Sequence, residues 1–383
     1  MQFGLELLVF AKFRIDFAES ESIGADYLDR SNTMPLTTTC IGAYPKPDYV
    51  KLPDWFNHPA GPDTADPTAL WAKAMADLGP EAPQIIARGV AEAIADQIEC
   101  GVDIPTDGEI SRENYIHYHC RHLQGFDFTR LTRKSVRGGT YEAALPTITG
   151  PVSVRDRFLV DDWKRAQANC RRAVKMTMPG PMTITDTNHD DYYDDPKKLG
   201  RDIADALNVE VRALADAGCV HIQIDEPLFA RKPTAALDYG FENLERAFHG
   251  CPKRVQRTVH MCCGYPDRID REDYPKADPD SYLQIADAIE YSGIDAISFE
   301  DAHRHNDLSL LERLPTTRVI FGVVAIARSE VETVEAIRER LQQALQHIDL
   351  ERLIAAPDCG LGLLGRDLAM AKLKNMCEAA HSL

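Results

Sequence analysis

A (β/α)8 barrel is the fold this sequence predicts, and three observations predict it. From Pro35 onward, short apolar or β-branched runs alternate with helical patterns eight times, a period that gives a parallel sheet. One such barrel carrying an insertion reaches the 383 residues of the chain. The polar clusters fall where the runs end, and in a barrel those loops converge over one mouth.

The expected strands are 36–41, 102–106, 174–178, 220–224, 257–261, 294–299, 318–324 and 353–356. Between them apolar residues recur at spacings of three and four over 83–99, 196–217, 280–291, 331–347 and 366–380, which gives each helix one core-facing side. The stretch 111–173 breaks this alternation. It is rich in charge, contains Arg137-Gly138-Gly139-Thr140, and is expected to form an insertion after the second strand, near the barrel mouth. Residues 1–33 are expected to form an N-terminal arm and 34–383 a single TIM-barrel domain.

Composition narrows the function. Hydrophobic residues make up 44% and charged residues 27%, ordinary for a protein that buries a sizeable core. A net charge of −17 repels a phosphate backbone, and no basic stripe offsets it, so nucleic acid is not an expected partner. Ten cysteines are scattered without the dense spacing of a secreted disulfide scaffold, which fits a reducing cytoplasm. No apolar run reaches the ~18 residues of a membrane span.

Four residues at the expected strand ends carry the chemistry. His260 and Cys262 stand two apart on an extended segment and so point to one side. Glu300 closes the next strand, and Cys359 follows the eighth. Taken singly, each cysteine reads as a core thiol and the histidine as a hydrogen-bonded strand residue. Together, two sulfurs, an imidazole and a carboxylate around one mouth suit Zn2+ rather than magnesium or calcium. Such a site favours the thiolate of an incoming thiol, so the expected reaction is alkyl transfer to sulfur. Glu109 and Asp225 end the second and fourth strands, where they are expected to pair with a substrate ammonium group; the competing reading, given less weight, is a salt bridge to a neighbour such as Arg112.

The motifs Pro-Leu-Thr-Thr-Thr-Cys-Ile-Gly-Ala-Tyr-Pro from 35 to 45, Asp107-Gly108-Glu109, Gly180-Pro181-Met182-Thr183, Ile224-Asp225-Glu226-Pro227, His260-Met261-Cys262 and Pro357-Asp358-Cys359-Gly360-Leu361 resemble the catalytic barrel of the cobalamin-independent methionine synthase family. The resemblance runs in order from 35 to 380. It implies His260, Cys262, Glu300 and Cys359 as zinc ligands and homocysteine as the thiol. It also implies that Glu109 and Asp225 hold the amino group, with Ile41 and Ala43 in the loop that meets the carboxylate.

Several positions depart from the family. Thr187 stands for an aromatic residue against the pterin of methyltetrahydrofolate, Arg231 for a pterin-binding glutamate, Ala327 for a proton-donating histidine and Ala43 for a serine. The first three point away from a folate donor and toward a methyl-corrinoid, free or on a corrinoid protein, while Ala43 removes a hydroxyl expected near the amino-acid carboxylate. Arg328, beside Ala327, is a candidate contact for an anionic group. Two alternatives stay open: a zinc enzyme joining another thiol, of the coenzyme M kind, to an epoxide or other alkyl donor, and a non-catalytic zinc or methyl-carrier binding protein. His117, His119 and Cys120 are weighed as a second metal cluster without a carboxylate partner, His303 and His305 are expected to face solvent, and Cys263 is expected to pack.

Overall fold

Seven strands pair in parallel in the order Thr37–Thr38, Leu353–Pro357, Arg318–Val324, Ala296–Phe299, Gln256–Met261, His221–Asp225 and Met176–Pro179. The gap between the two end strands is closed by the segment expected as the second strand. It makes single parallel bridges on both sides, Thr39 to Ile104 and Thr106 to Lys175. Pro105 has no N–H and cannot continue a ladder, so this strand is reduced to those bridges, with Pro105 O accepting from Lys175 N at 2.8 Å. The sheet is thus a closed (β/α)8 barrel. The computed structural model describes residues 35–56, 66–136, 141–271 and 273–383. The expected arm at 1–33 and the Arg137-Gly138-Gly139-Thr140 segment lie outside those residues.

Local chemistry sets the helix limits. The helix Pro196–Ala217 starts where Asp195 accepts from the N–H groups of Lys197 and Lys198, with proline in its first turn, and stops at Gly218, whose φ of 107° is the left-handed cap glycine supplies. Its buried face includes Ile203, Leu207, Val211 and Leu214.

The insertion is a long antiparallel hairpin, Leu123–Val136 with Tyr141–Val154, entered through a short helix, Tyr115–Cys120. Its register shifts beside Gly125, where φ is 92° and a Cβ would lie 2.8 Å from two backbone oxygens. The helix Leu159–Gln167 lies within the expected insertion but packs between Ala82–Glu99 and Pro196–Ala217, so it takes the place of the barrel's own second helix.

Alternate strand residues point into the barrel. Ala296, Ile320, Ile354 and Ala356 join Ile41 in a small apolar layer there. Nearer the carboxyl ends the buried polar residues Thr177, Gln223, Asp225, His260 and Ser298 replace apolar ones. Among the described residues, no helix is long and apolar enough to cross a membrane.

Candidate functional site

His260 sits at an inward position of the fifth barrel strand. Its Nδ1 lies 3.0 Å from Ser298 Oγ on the sixth strand, which fixes the ring plane, and its Nε2 lies 3.4 Å from Cys359 Sγ. Ligand atoms of His260, Glu300 and Cys359 lie within 4.8 Å of one another. The Cys262 thiol interacts with both Cys359 and Glu300, so the structure brings all four candidate ligands together. Bonds of 2.0–2.3 Å in a tetrahedron place donor atoms about 3.3–3.8 Å apart, and the imidazole-to-thiol spacing already falls in that range.

Two side chains clamp the loops that carry these donors. The Tyr282 hydroxyl donates to Met261 O at 2.8 Å and accepts from Cys263 Sγ at 2.9 Å and from Glu300 N at 3.3 Å, joining the fifth and sixth strand ends. Asp358, next to Cys359, accepts from the N–H groups of Asp301, Ala302 and His303 at 2.8–2.9 Å and faces His303 Nδ1 at 2.8 Å. That carboxylate has room because residue 322 is glycine; a Cβ there would stand 2.2 Å from Asp358 Oδ1.

The electrostatics of this cluster favour a bound cation. Burial, then Cys262 and Cys263, hold the Glu300 carboxyl well above its ordinary range, and its Oε1 is buried without a hydrogen-bond partner. The hydrogen bond between the Cys359 thiol and Cys262, then burial, raises the Cys359 thiol well above its ordinary value. Burial, then Lys175, lowers His260 to about 3, keeping it a neutral ring able to bind metal. A divalent cation would reverse the cost of the charged carboxylate and thiolates. Soft sulfur, imidazole and one carboxylate therefore fit zinc in both donor type and spacing.

His260, Cys262 and Cys359 open onto a pocket lined also by Ile41, Gly42, Ala43, Glu109, Asp225, Tyr115 and Tyr265. Glu109 reaches it through a turn with φ of 69° at Gly108 and 55° at Glu109 itself, a left-handed conformation that costs a non-glycine residue about 1 kcal/mol. Its N–H bonds to Asp107 Oδ1 at 3.0 Å, and Oε1 accepts from Arg112 Nη1 at 3.1 Å and Thr177 Oγ1 at 2.7 Å. Both the ion pair with Arg112 and the place on the pocket wall are therefore real. Gly42 permits the approach, since a Cβ would lie 2.6 Å from Glu109 Oε1.

Asp225 Oδ1 accepts from Gln223 Nε2 at 2.7 Å, and the same amide donates to Ile41 O at 2.8 Å, tying the first strand end to the fourth. Burial, then the Glu109 charge, raises the Asp225 carboxyl well above its ordinary range. A buried acid whose charge is disfavoured by burial and by a neighbouring carboxylate makes a site that gains from a bound ammonium group.

Other candidates fall elsewhere. Arg328 is partly buried near Lys276 and is not among the residues lining the pocket. Thr187 caps the helix Pro181–Asp186, its hydroxyl donating to Thr183 O at 2.6 Å, and Ala327 O accepts from Asp270 N at 2.7 Å. His117 pairs with Thr68 Oγ1 at 2.8 Å and His119 with Tyr115 O at 2.8 Å; with Cys120 they make no candidate metal group among the described residues. Cys263 packs as expected, with its thiol on Tyr282. His303 is corrected: its side chain is 6% exposed, because the Asp358 carboxylate holds it inward, whereas His305 is 66% exposed. Sequence reading missed Ser298, Tyr282, Asp358 and the aromatic residues Trp55, Phe56, Tyr115 and Tyr265. The place of Asp358 beside Cys359 was the only local signal for any of them.

Comparison with known proteins gives a consistent result. The family described as the cobalamin-independent synthase catalytic domain matches residues 59–382. A methionine synthase of Saccharolobus solfataricus is 29% identical over 347 residues, covering 90% of this chain and 93% of its own. One from Thermococcus kodakarensis is 28% identical over 352 residues, covering 90% of this chain and 93% of its own. Among solved structures, a B12-independent methionine synthase from a Shewanella species, in complex with selenomethionine, matches with a TM-score of 0.79 at 30% identity, over 90% of this chain and 97% of that one.

Proposed function

This chain belongs to the family of cobalamin-independent synthase catalytic domains, and from that premise we propose that it methylates the thiol of homocysteine to give methionine, with a zinc ion held by His260, Cys262, Glu300 and Cys359. The observation that carries the reading is the meeting of an imidazole, two thiols and a carboxylate at the barrel mouth, three of them with ligand atoms within 4.8 Å. The selenomethionine complex of the Shewanella enzyme supports the same product class.

Zinc bound there would supply the positive charge that lowers the pKa of an incoming thiol from ~8.5 and keeps it a thiolate. The protein's own groups do the rest. Ser298 orients the His260 ring, while Tyr282 and Asp358 hold the loops at fixed spacing. Glu109 and Asp225 receive the ammonium group, with Arg112 and Gln223 holding one oxygen of each in place. Glu300 would be the hardest donor to the ion in a soft set, and so the ligand that an incoming sulfur could displace. The thiol proton is released on binding.

The family's description as cobalamin-independent gives the methyl-corrinoid donor, and a corrinoid partner, no support. The alternative of a sulfonated thiol is not favoured either, since no lysine or arginine is among the described residues lining the pocket. The test is a metal assay on the purified protein together with methionine formation from homocysteine across a panel of methyl donors. Zinc-dependent methionine formation is expected. Turnover that persists without metal, or that takes sulfonated thiols and refuses homocysteine, overturns the reading.

A further inference from the structure

Four aromatic rings stand on the wall of the pocket that holds His260, Cys262 and Cys359: Trp55, Phe56, Tyr115 and Tyr265. Their centroids form a connected set, at 4.4 Å from Trp55 to Phe56, 5.2 Å from Phe56 to Tyr265, and 5.9 Å from Trp55 to both Tyr115 and Tyr265. The set is fixed from several sides. Trp55 N donates to Glu113 O at 3.0 Å, the Tyr265 hydroxyl donates to Gly360 O at 2.9 Å, and Phe56 lies on Gly362, where a Cβ would come within 2.5 Å of the ring.

The charges of the lining have one sign. Glu109 and Asp225 are its carboxylates, and the nearby cations Arg112 and Lys46 are committed, Arg112 to Glu109 at 3.1 Å and Lys46 to Asp54 at 3.3 Å. Aromatic faces carry negative potential, and a desolvated cation within about 6 Å of a ring centroid gains roughly 0.5–2 kcal/mol from each favourable contact. With those two acids taken by the homocysteine ammonium group, the aromatic wall, with no lysine or arginine among the described lining residues, favours a positively charged second guest.

We propose that this wall binds the methyl donor as an onium cation, a methylsulfonium or a quaternary ammonium compound. The inference rests on the thiol-methylation reading and adds the class of donor to it. The chemistry balances without another reactant. A lone pair of the homocysteine thiolate sulfur attacks the methyl carbon and forms the new carbon–sulfur bond. The bond from that carbon to the onium sulfur or nitrogen breaks, its electron pair staying on the leaving atom, which departs as a neutral thioether or tertiary amine. No proton has to reach the leaving group. The positive charge that the wall stabilises is lost as the thiolate charge is lost.

The test uses the metal-loaded full chain. Tetramethylammonium and trimethylsulfonium ions are titrated by calorimetry and by protein fluorescence against tert-butanol, a neutral compound of similar shape. The onium ions are expected to bind at least about tenfold more tightly than tert-butanol, with Trp55→Leu removing most of that preference and Trp55→Phe retaining it. Equal affinity for the neutral compound, or a preference untouched in Trp55→Leu, overturns the proposal, and the first of these needs no variant. Turnover is then measured with homocysteine and S-methylmethionine, glycine betaine or methyltetrahydrofolate. Methionine formed from the folate alone, with no onium binding, overturns this inference and leaves the methylation reading standing. Onium binding without methionine from any donor supports the cation site and overturns the methylation reading.

Discussion

Glu300 is buried among thiols, its Oε1 has no hydrogen-bond partner, and burial, then Cys262, holds its carboxyl well above the ordinary range. Its three companions were legible in sequence because each sits at the end of an apolar run, where a barrel gathers its loops. Replacing either thiol, Cys359→Ser or Cys262→Ser, is expected to abolish zinc binding and lower activity at least about a hundredfold while the circular dichroism spectrum stays unchanged. A variant that keeps full metal content would count against the ligand set. Asp225→Asn leaves the shape and removes the charge, so KM for homocysteine is expected to rise about tenfold or more with a smaller change in kcat, as for a lost hydrogen bond to a charged group. Steady-state kinetics decides it, and an unchanged KM would assign Asp225 to the barrel alone. His303 was misread because its partner, Asp358, lies in a loop 55 residues away in sequence. Nothing near position 303 announces a buried imidazole.

The elements show why the second strand and the insertion were harder to read than the rest. Pro105 leaves only bridges where a β-branched run suggested a ladder. The hairpin strands Leu123–Val136 and Tyr141–Val154 carry charge and threonine rather than an alternating apolar face, so they read as irregular chain. Glu226 is a further case: it reads as part of an acidic motif, but its carboxylate caps the helix Pro181–Asp186, accepting from Met182 N at 2.8 Å and from Thr183 N and Oγ1 at 3.0 and 2.7 Å. Gly180 is required there, because a Cβ would lie 2.1 Å from the Glu226 carboxyl carbon. Burial outweighs those bonds and raises Glu226 from 4.5 to about 7. A raised carboxyl binds its proton more tightly in the folded state. Its contribution to stability is therefore fully present below pH 4.5 and is lost as the pH rises toward about 7. Glu226→Gln cannot titrate. Urea unfolding of both proteins across this window should show the wild type losing stability relative to the variant as the pH rises, and parallel curves would refute the assignment.

Across the whole molecule, the candidate ligands come from the ends of the fifth, sixth and eighth strands, so a bound ion links parts of the barrel that are distant in sequence. Metal that binds only the folded chain stabilises it by mass action, and chelation is expected to lower Tm by several degrees with full recovery on adding zinc. A scanning-calorimetry trace indifferent to chelator would mean that the four side chains hold no structural share of the ion. The closed topology was legible because eight strand–helix alternations have one natural closure. The aromatic wall was not, because Trp55 and Tyr265 lie in loops and Tyr115 opens the helix Tyr115–Cys120, three segments that only the closed barrel brings together.

The central claim is that one zinc ion at this mouth receives the substrate sulfur. X-ray absorption at the zinc edge, before and after homocysteine is added, tests it most directly. Two sulfur scatterers at about 2.3 Å with nitrogen and oxygen neighbours are expected in the resting protein, and three sulfurs once homocysteine is bound. A coordination shell unchanged by homocysteine, or one without sulfur, would contradict the account.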